Sequence, residues 1–115
     1  MRRLLLLLLL GWTFVQGANH SVTLSWTWAQ GTGDPATGFH IQRSQVTGGP
    51  YAVIATVPSS STLTFIDSSV VGGQTYFYVV TAFNGGGDSL PSNQVTCNIP
   101  FQPPMAPSGL QGNAK

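Results

Sequence analysis

From Ser21 onward apolar side chains recur at every second position, and this period restricts the fold more than any other feature of the chain. Val22, Leu24, Trp26 and Trp28 alternate with Ser21, Thr23, Ser25 and Thr27. Successive residues of an extended chain face opposite ways, so such a run buries large side chains on one face and shows hydroxyls on the other. No window carries the 3.6-residue period of an amphipathic helix. The same reading puts Phe39 and Ile41, with the stem of Arg43, inward on a second strand and leaves His40 and Gln42 outward. A third strand is expected over residues 51–57 and a fourth over 63–67. The run from Thr75 to Asn84 is aromatic or β-branched at nearly every position, which suits a central strand. A sixth follows over residues 92–99. Turn chemistry rich in Gly, Pro, Asp and Ser separates these runs at 31–38, 48–50, 59–61, 72–73 and 85–88, the last expected as a mobile loop. Short strands with polar turns and no helix predict an all-β sandwich or barrel. The core read from parity is Val22, Leu24, Trp26, Phe39, Ile41, Phe65, Tyr76, Tyr78, Val80, Ala82 and Val95.

The amino terminus follows a different rule. Met1-Arg2-Arg3 is a short cationic start, Leu4 to Leu10 is unbroken leucine, and small residues stand at Gly17 and Ala18. That pattern predicts a signal peptide over residues 1–18 and a secreted product, extracellular, periplasmic or at the cell surface. The apolar stretch falls short of the roughly 20 residues a spanning helix needs, so no membrane partner is expected after cleavage. Removing it leaves Arg43 and Lys115 against Asp34, Asp67 and Asp88. Two cations give no footprint for nucleic acid. Cys97 is the only cysteine, so no internal disulfide can form. It shares the parity of Val95, which predicts a buried thiol behaving as a small apolar residue.

Catalytic chemistry finds no purchase here. Hydrolysis generally needs a carboxylate pair or a nucleophile beside a base, and the sequence contains no glutamate. Asp34, Asp67 and Asp88 fall in three separate turns or strand ends, with Asp67 read as closing a turn. His20 and His40 stand on different segments without metal-ligand spacing. No catalytic, cofactor-binding or metal-binding residue is assigned, and no cofactor is expected. The sequon Asn19-His20-Ser21 is read as chance. What rises above this background is an outward apolar-aromatic stripe of His40, Gln42, Phe77, Val79 and Phe83, suited to a sugar ring or a partner's apolar surface.

Several strings together resemble a known family. SVTLSW (21–26), TGFHIQR (37–43), GGPYAVIATV (48–57), LTFID (63–67) and GQTYFYVVTAFNGGGDSLPSNQV (73–95) follow, in order and spacing, bacterial fibronectin type III domains. The resemblance spans residues 21–100. It implies an immunoglobulin-like β-sandwich of six to seven antiparallel strands, with Trp26 as the core tryptophan of the family's strand B and Tyr76 preceding the core of its strand F. The family's strand A has no place between a cleaved leader and Val22, so it is expected to be short or missing. The domain is read as residues 19–100. Residues 101–115 form a Pro-rich tail resembling the start of a further domain. That tail is the stub of a second domain, an appendage to a sandwich complete without strand A, or the donor of the missing strand to a neighbour in head-to-tail self-association through 102–115. The function implied is a non-catalytic binding or spacer module for a protein or polysaccharide surface. The alternative is a carbohydrate-binding accessory to a secreted polysaccharide-degrading enzyme.

Overall fold

The computed structural model describes residues 19–115, and the segment read as a signal peptide lies outside them. Seven strands follow in order: β1 Val22–Ser25, β2 Gly38–Ser44, β3 Ala52–Val57, β4 Thr64–Asp67, β5 Thr75–Asn84, β6 Gly87–Asp88 and β7 Val95–Asn98. All pairings are antiparallel. Among the described residues one sheet holds β1 and β4, and the other runs β3-β2-β5 with both β6 and β7 on the far side of β5. β5 is central, as its two-sided apolar content requires, with β2 along one edge and β7 and β6 sharing the other.

The layers meet through the predicted parity. Phe39 and Ile41 from β2 and Tyr76 and Tyr78 from β5 are buried against Val22 and Leu24 from β1, with Val57, Val70 and Ile99 completing the cluster. Full burial of a side chain such as Ile41 stabilises by about 1.5–3 kcal/mol. Trp26, Phe65, Val80 and Ala82 are partly buried and pack against this cluster. Trp26 and Trp28 both meet the Phe39 ring edge-on, with centroids 5.3 and 5.9 Å away. β2 kinks at a bulge between Ile41 and Gln42 where it pairs with β3. Gly38 opens β2 because backbone presses on it: a Cβ there would stand 2.0 Å from the carbonyl oxygen of Val57.

Three expectations change. β1 ends at Ser25, with one further bond from the Trp26 N–H to the Leu63 carbonyl, so Trp28 lies beyond the sheet. The run 85–88, expected as a mobile loop, is instead a hairpin: Asn84 faces Gly87 across a two-residue Gly85-Gly86 connection, and β6 results. Of these glycines only Gly87 takes a positive φ, 122°, which L side chains rarely adopt. Val95, assigned to the core, is 39% exposed. It stands opposite the buried Tyr78, so its parity is inward, but among the described residues the facing sheet has two strands and covers it only in part. Cys97, on the same face, is likewise only partly buried, and burial raises its thiol pKa.

A buried polar cluster ties the two layers. Asp67 at the end of β4 is 3% exposed. Its carboxylate accepts hydrogen bonds from the Tyr78 hydroxyl at 2.6 Å, the Arg43 guanidinium at 2.8 Å and the Ser69 backbone N–H at 3.0 Å. The last is the turn-closing role expected of it, and the other two reach into the opposite sheet. The guanidinium carbon of Arg43 also lies 4.9 Å from the centroid of the Tyr76 ring, so the side chain is turned inward as expected. Burial alone would raise the Asp67 pKa, but the bonds from Ser69, Tyr78 and Arg43 outweigh it and lower it to about 2. Burial and the neighbouring carboxylate push the Tyr78 hydroxyl well above its ordinary range.

Candidate functional site

The outward face of the larger sheet brings together part of the predicted stripe. Antiparallel register sets His40 opposite Thr81, Gln42 opposite Val79, Ser44 opposite Phe77 and Gly38 opposite Phe83. Side chains of one parity therefore share the face, and neighbours on the diagonal meet. The His40 and Phe83 rings stack with centroids 4.2 Å apart and planes 9° from parallel. His40 Nδ1–H donates to Asp88 Oδ2 at 2.7 Å, and the Thr81 hydroxyl donates to the same oxygen at 2.7 Å. Gln42 Nε2 donates to Thr81 Oγ1 at 3.2 Å. The bonds from His40 and Thr81 hold the Asp88 carboxyl below the usual carboxylate range.

Val79 does not belong to the accessible stripe, being 4% exposed. It lies on the central strand, where Gln42 of β2 stands opposite it on the same face. Thr81 is buried as well, its hydroxyl bonded to Asp88 and Gln42. Phe77 is half-buried and lies several residues along β5 from Phe83. The five predicted positions thus do not form one stripe; His40 and Phe83 join Asp88, which the sequence reading left in a turn. Its link to His40 spans 48 residues and depends on β6 folding back along β5, for which the adjacent glycines were the only sequence signal.

This patch borders a cleft at the end of the sandwich. The cleft, about 340 Å³, is lined by Trp28, Gln30 and Asp34 from the β1–β2 connection and by Phe83, Asn84 and Asp88 from the β5–β6 hairpin. Phe83 and Asp88 are shared between patch and cleft. Two aromatic rings among amide and carboxylate groups can offer both a stacking surface and hydroxyl partners. Among the described residues no group of three or more His, Cys, Asp or Glu is placed to hold a metal ion. No helix there is long and apolar enough to cross a membrane.

Comparison with known proteins decides the family. The model of the fibronectin type III domain matches residues 11–98. The chain belongs to the fibronectin type III family. The match begins eight residues before Asn19, and so overlaps the stretch read as a leader. The chain is 38% identical over 96 residues to an amylopullulanase of Thermoanaerobacter thermohydrosulfuricus, covering 83% of this chain and 6% of that enzyme. It is 35% identical over 99 residues to an amylopullulanase of Thermoanaerobacterium thermosulfurigenes, covering 86% of this chain and 5% of the enzyme. The fibronectin type III module here thus spans about one-twentieth of the curated relatives it matches. Among solved structures, an Fn3-like protein from Clostridium thermocellum superposes with a TM-score of 0.57 at 32% identity, covering 72% of this chain and 80% of that one. The twitchin kinase region from C. elegans aligns with a TM-score of 0.62 at 22% identity, covering 74% of this chain and 15% of that one, which speaks to the fold alone.

Proposed function

We propose that this fibronectin type III module is a non-catalytic accessory of a secreted glycoside hydrolase acting on α-glucan, and that it contacts the polysaccharide through the His40–Phe83–Asp88 patch and its adjoining cleft. The observation that carries the reading is the similarity to a small region within amylopullulanases, at 38% and 35% identity. It favours the carbohydrate-linked alternative over a general spacer for proteins. The scarcity of carboxylates, with no glutamate in the chain, supports an accessory rather than a hydrolytic role. Stacking of a sugar face against Phe83 or Trp28, with hydroxyls meeting Gln30, Asp34 or Asn84, is the recognition chemistry the cleft offers. Secretion follows from the same reading, because the polymer lies outside the cell.

Affinity electrophoresis through gels containing amylopectin or pullulan tests it. The wild-type chain should be retarded, and Phe83→Ser should migrate at least several-fold closer to its polysaccharide-free mobility with an unchanged unfolding midpoint. Equal mobility of wild type with and without polysaccharide would defeat the proposal and leave a spacer role.

A further inference from the structure

The hairpin that carries Asp88 turns on the string Asn84-Gly85-Gly86. An asparagine followed by glycine can react with its own backbone. The glycine nitrogen reaches the side-chain amide carbon by closing a five-membered ring, and glycine presents no Cβ to obstruct the approach. Of the chain's five asparagines, at 19, 84, 93, 98 and 113, Asn84 alone precedes glycine. The others precede His20, Gln94, Ile99 and Ala114, whose side chains crowd that nitrogen.

The fold sets the reacting groups in place. The ladder pairs Asn84 with Gly87, so the Gly85 N–H stays outside it, and it makes no hydrogen bond among the described residues. Asn84 Oδ1 accepts a bond from the Gly86 N–H at 2.7 Å. A side-chain bond to the N–H two residues on curls the side chain back over the peptide between, here that of Gly85. It also leaves a donor on the oxygen that gains charge when Cγ is attacked. The leaving nitrogen is held loosely: Nδ2 reaches the Pro35 carbonyl only at 3.4 Å, beyond the usual range of about 2.7–3.2 Å. Gly85 and Gly86 are exposed, so hydroxide and water have access.

We propose that Asn84-Gly85 is a spontaneous modification site, and that its conversion to isoaspartate uncouples Asp88 from the rest of the patch. Base takes the Gly85 amide proton and the nitrogen bonds to Asn84 Cγ. The Cγ–Nδ2 bond then breaks, and the amine takes up a proton and leaves as ammonia. Water opens the cyclic imide at either carbonyl, which gives aspartate or isoaspartate at 84 with no oxidant or reductant. Isoaspartate routes the backbone through the side chain and adds a methylene, so the connection can no longer set residue 84 opposite Gly87 or Phe83 opposite Asp88. The bonds from His40 and Thr81 to Asp88, both 2.7 Å, depend on that register. Aspartate leaves the backbone unchanged and places a third carboxylate in the cleft with Asp34 and Asp88.

Incubation of the folded full chain at neutral and at alkaline pH, followed by peptide mass mapping that separates aspartate from isoaspartate, tests this. Asn84 should convert before Asn93, Asn98 and Asn113, and faster at the higher pH. Gly85 has no positive φ, and a Cβ there meets nothing within 4 Å. Gly85→Ala should therefore keep the wild-type unfolding midpoint and slow conversion by at least an order of magnitude. Earlier conversion of another asparagine, or an equal rate in Gly85→Ala, would overturn the proposal. So would a rate in the folded chain below that in urea, because the turn would then shield Asn84 and not present it. The Ser89 N–H, which donates to the Ala82 carbonyl at 2.7 Å, reports on the hairpin by hydrogen exchange. It should lose protection in the isoaspartate form and keep it in Asn84→Asp. Unchanged protection in the isoaspartate form would equally overturn the proposal.

Discussion

Asp67→Asn is the sharpest probe of how the two layers hold together. The carboxyl has an ordinary pKa of 3.8 and is held at about 2 in the fold, a difference near 1.8 units. At about 1.4 kcal/mol per unit this makes the charged form worth roughly 2–2.5 kcal/mol to the folded state. The folded pKa is the lower one, so this stability is fully present above about pH 4 and is lost as pH falls through 2. By pH 3 about 1 kcal/mol of it should be gone. Few other groups blur the reading, because Asp34 and Asp88 are the only other side-chain carboxyls in the chain. Asparagine keeps the shape but leaves Arg43 and the Tyr78 hydroxyl short of an anionic acceptor, which adds to the cost, so about 2–4 kcal/mol is expected at pH 7. That is a large part of the roughly 4–12 kcal/mol available to a domain of about 80 residues. Urea unfolding followed by tryptophan fluorescence, at pH 7 and pH 3 for wild type and variant, measures both quantities. Wild type should weaken on acidification more than the variant does. The reasoning fails if the two share one pH dependence, or if the variant unfolds at the wild-type urea concentration at pH 7.

Two further outcomes test packing. Gly38→Ala should cost about 1–3 kcal/mol in the same assay, because its Cβ collides with the Val57 backbone rather than with a movable side chain. Val95→Ser should cost under about 1 kcal/mol, whereas Ile41→Ala, at a position with no exposure, should cost about 2–5 kcal/mol. Similar losses at the two sites would mean that Val95 is fully covered in solution.

The parity of extended chain made the centre of the fold legible. Phe39, Ile41, Tyr76 and Tyr78 are buried because each lies on a strand with neighbours on both sides, where alternation alone decides which face is dry. Parity could not say how far the facing layer extends over β7, so it placed Val95 in the core although 39% of it is exposed among the described residues. Nor could it tell a solvated face from one covered by adjacent strands, and so it put Val79 within reach of a ligand. The polar contacts were the least legible. Tyr78 and Arg43 reach Asp67 across 11 and 24 residues of sequence, and His40 reaches Asp88 across 48, distances set by topology and not by local pattern. The cleft beside Trp28 escaped notice because it forms where two connections meet at the end of the sandwich.

The Arg43–Asp67–Tyr78 cluster performs for this domain the task that an inter-sheet disulfide performs in many small exported sandwiches, and it does so without sulfur. A clasp made of a carboxylate, a guanidinium and a phenol is indifferent to glutathione and to oxidants. It needs no isomerase to select partners. The layers should therefore lock as soon as the chain folds, in either redox environment, and acid rather than reductant is the agent that unfastens them.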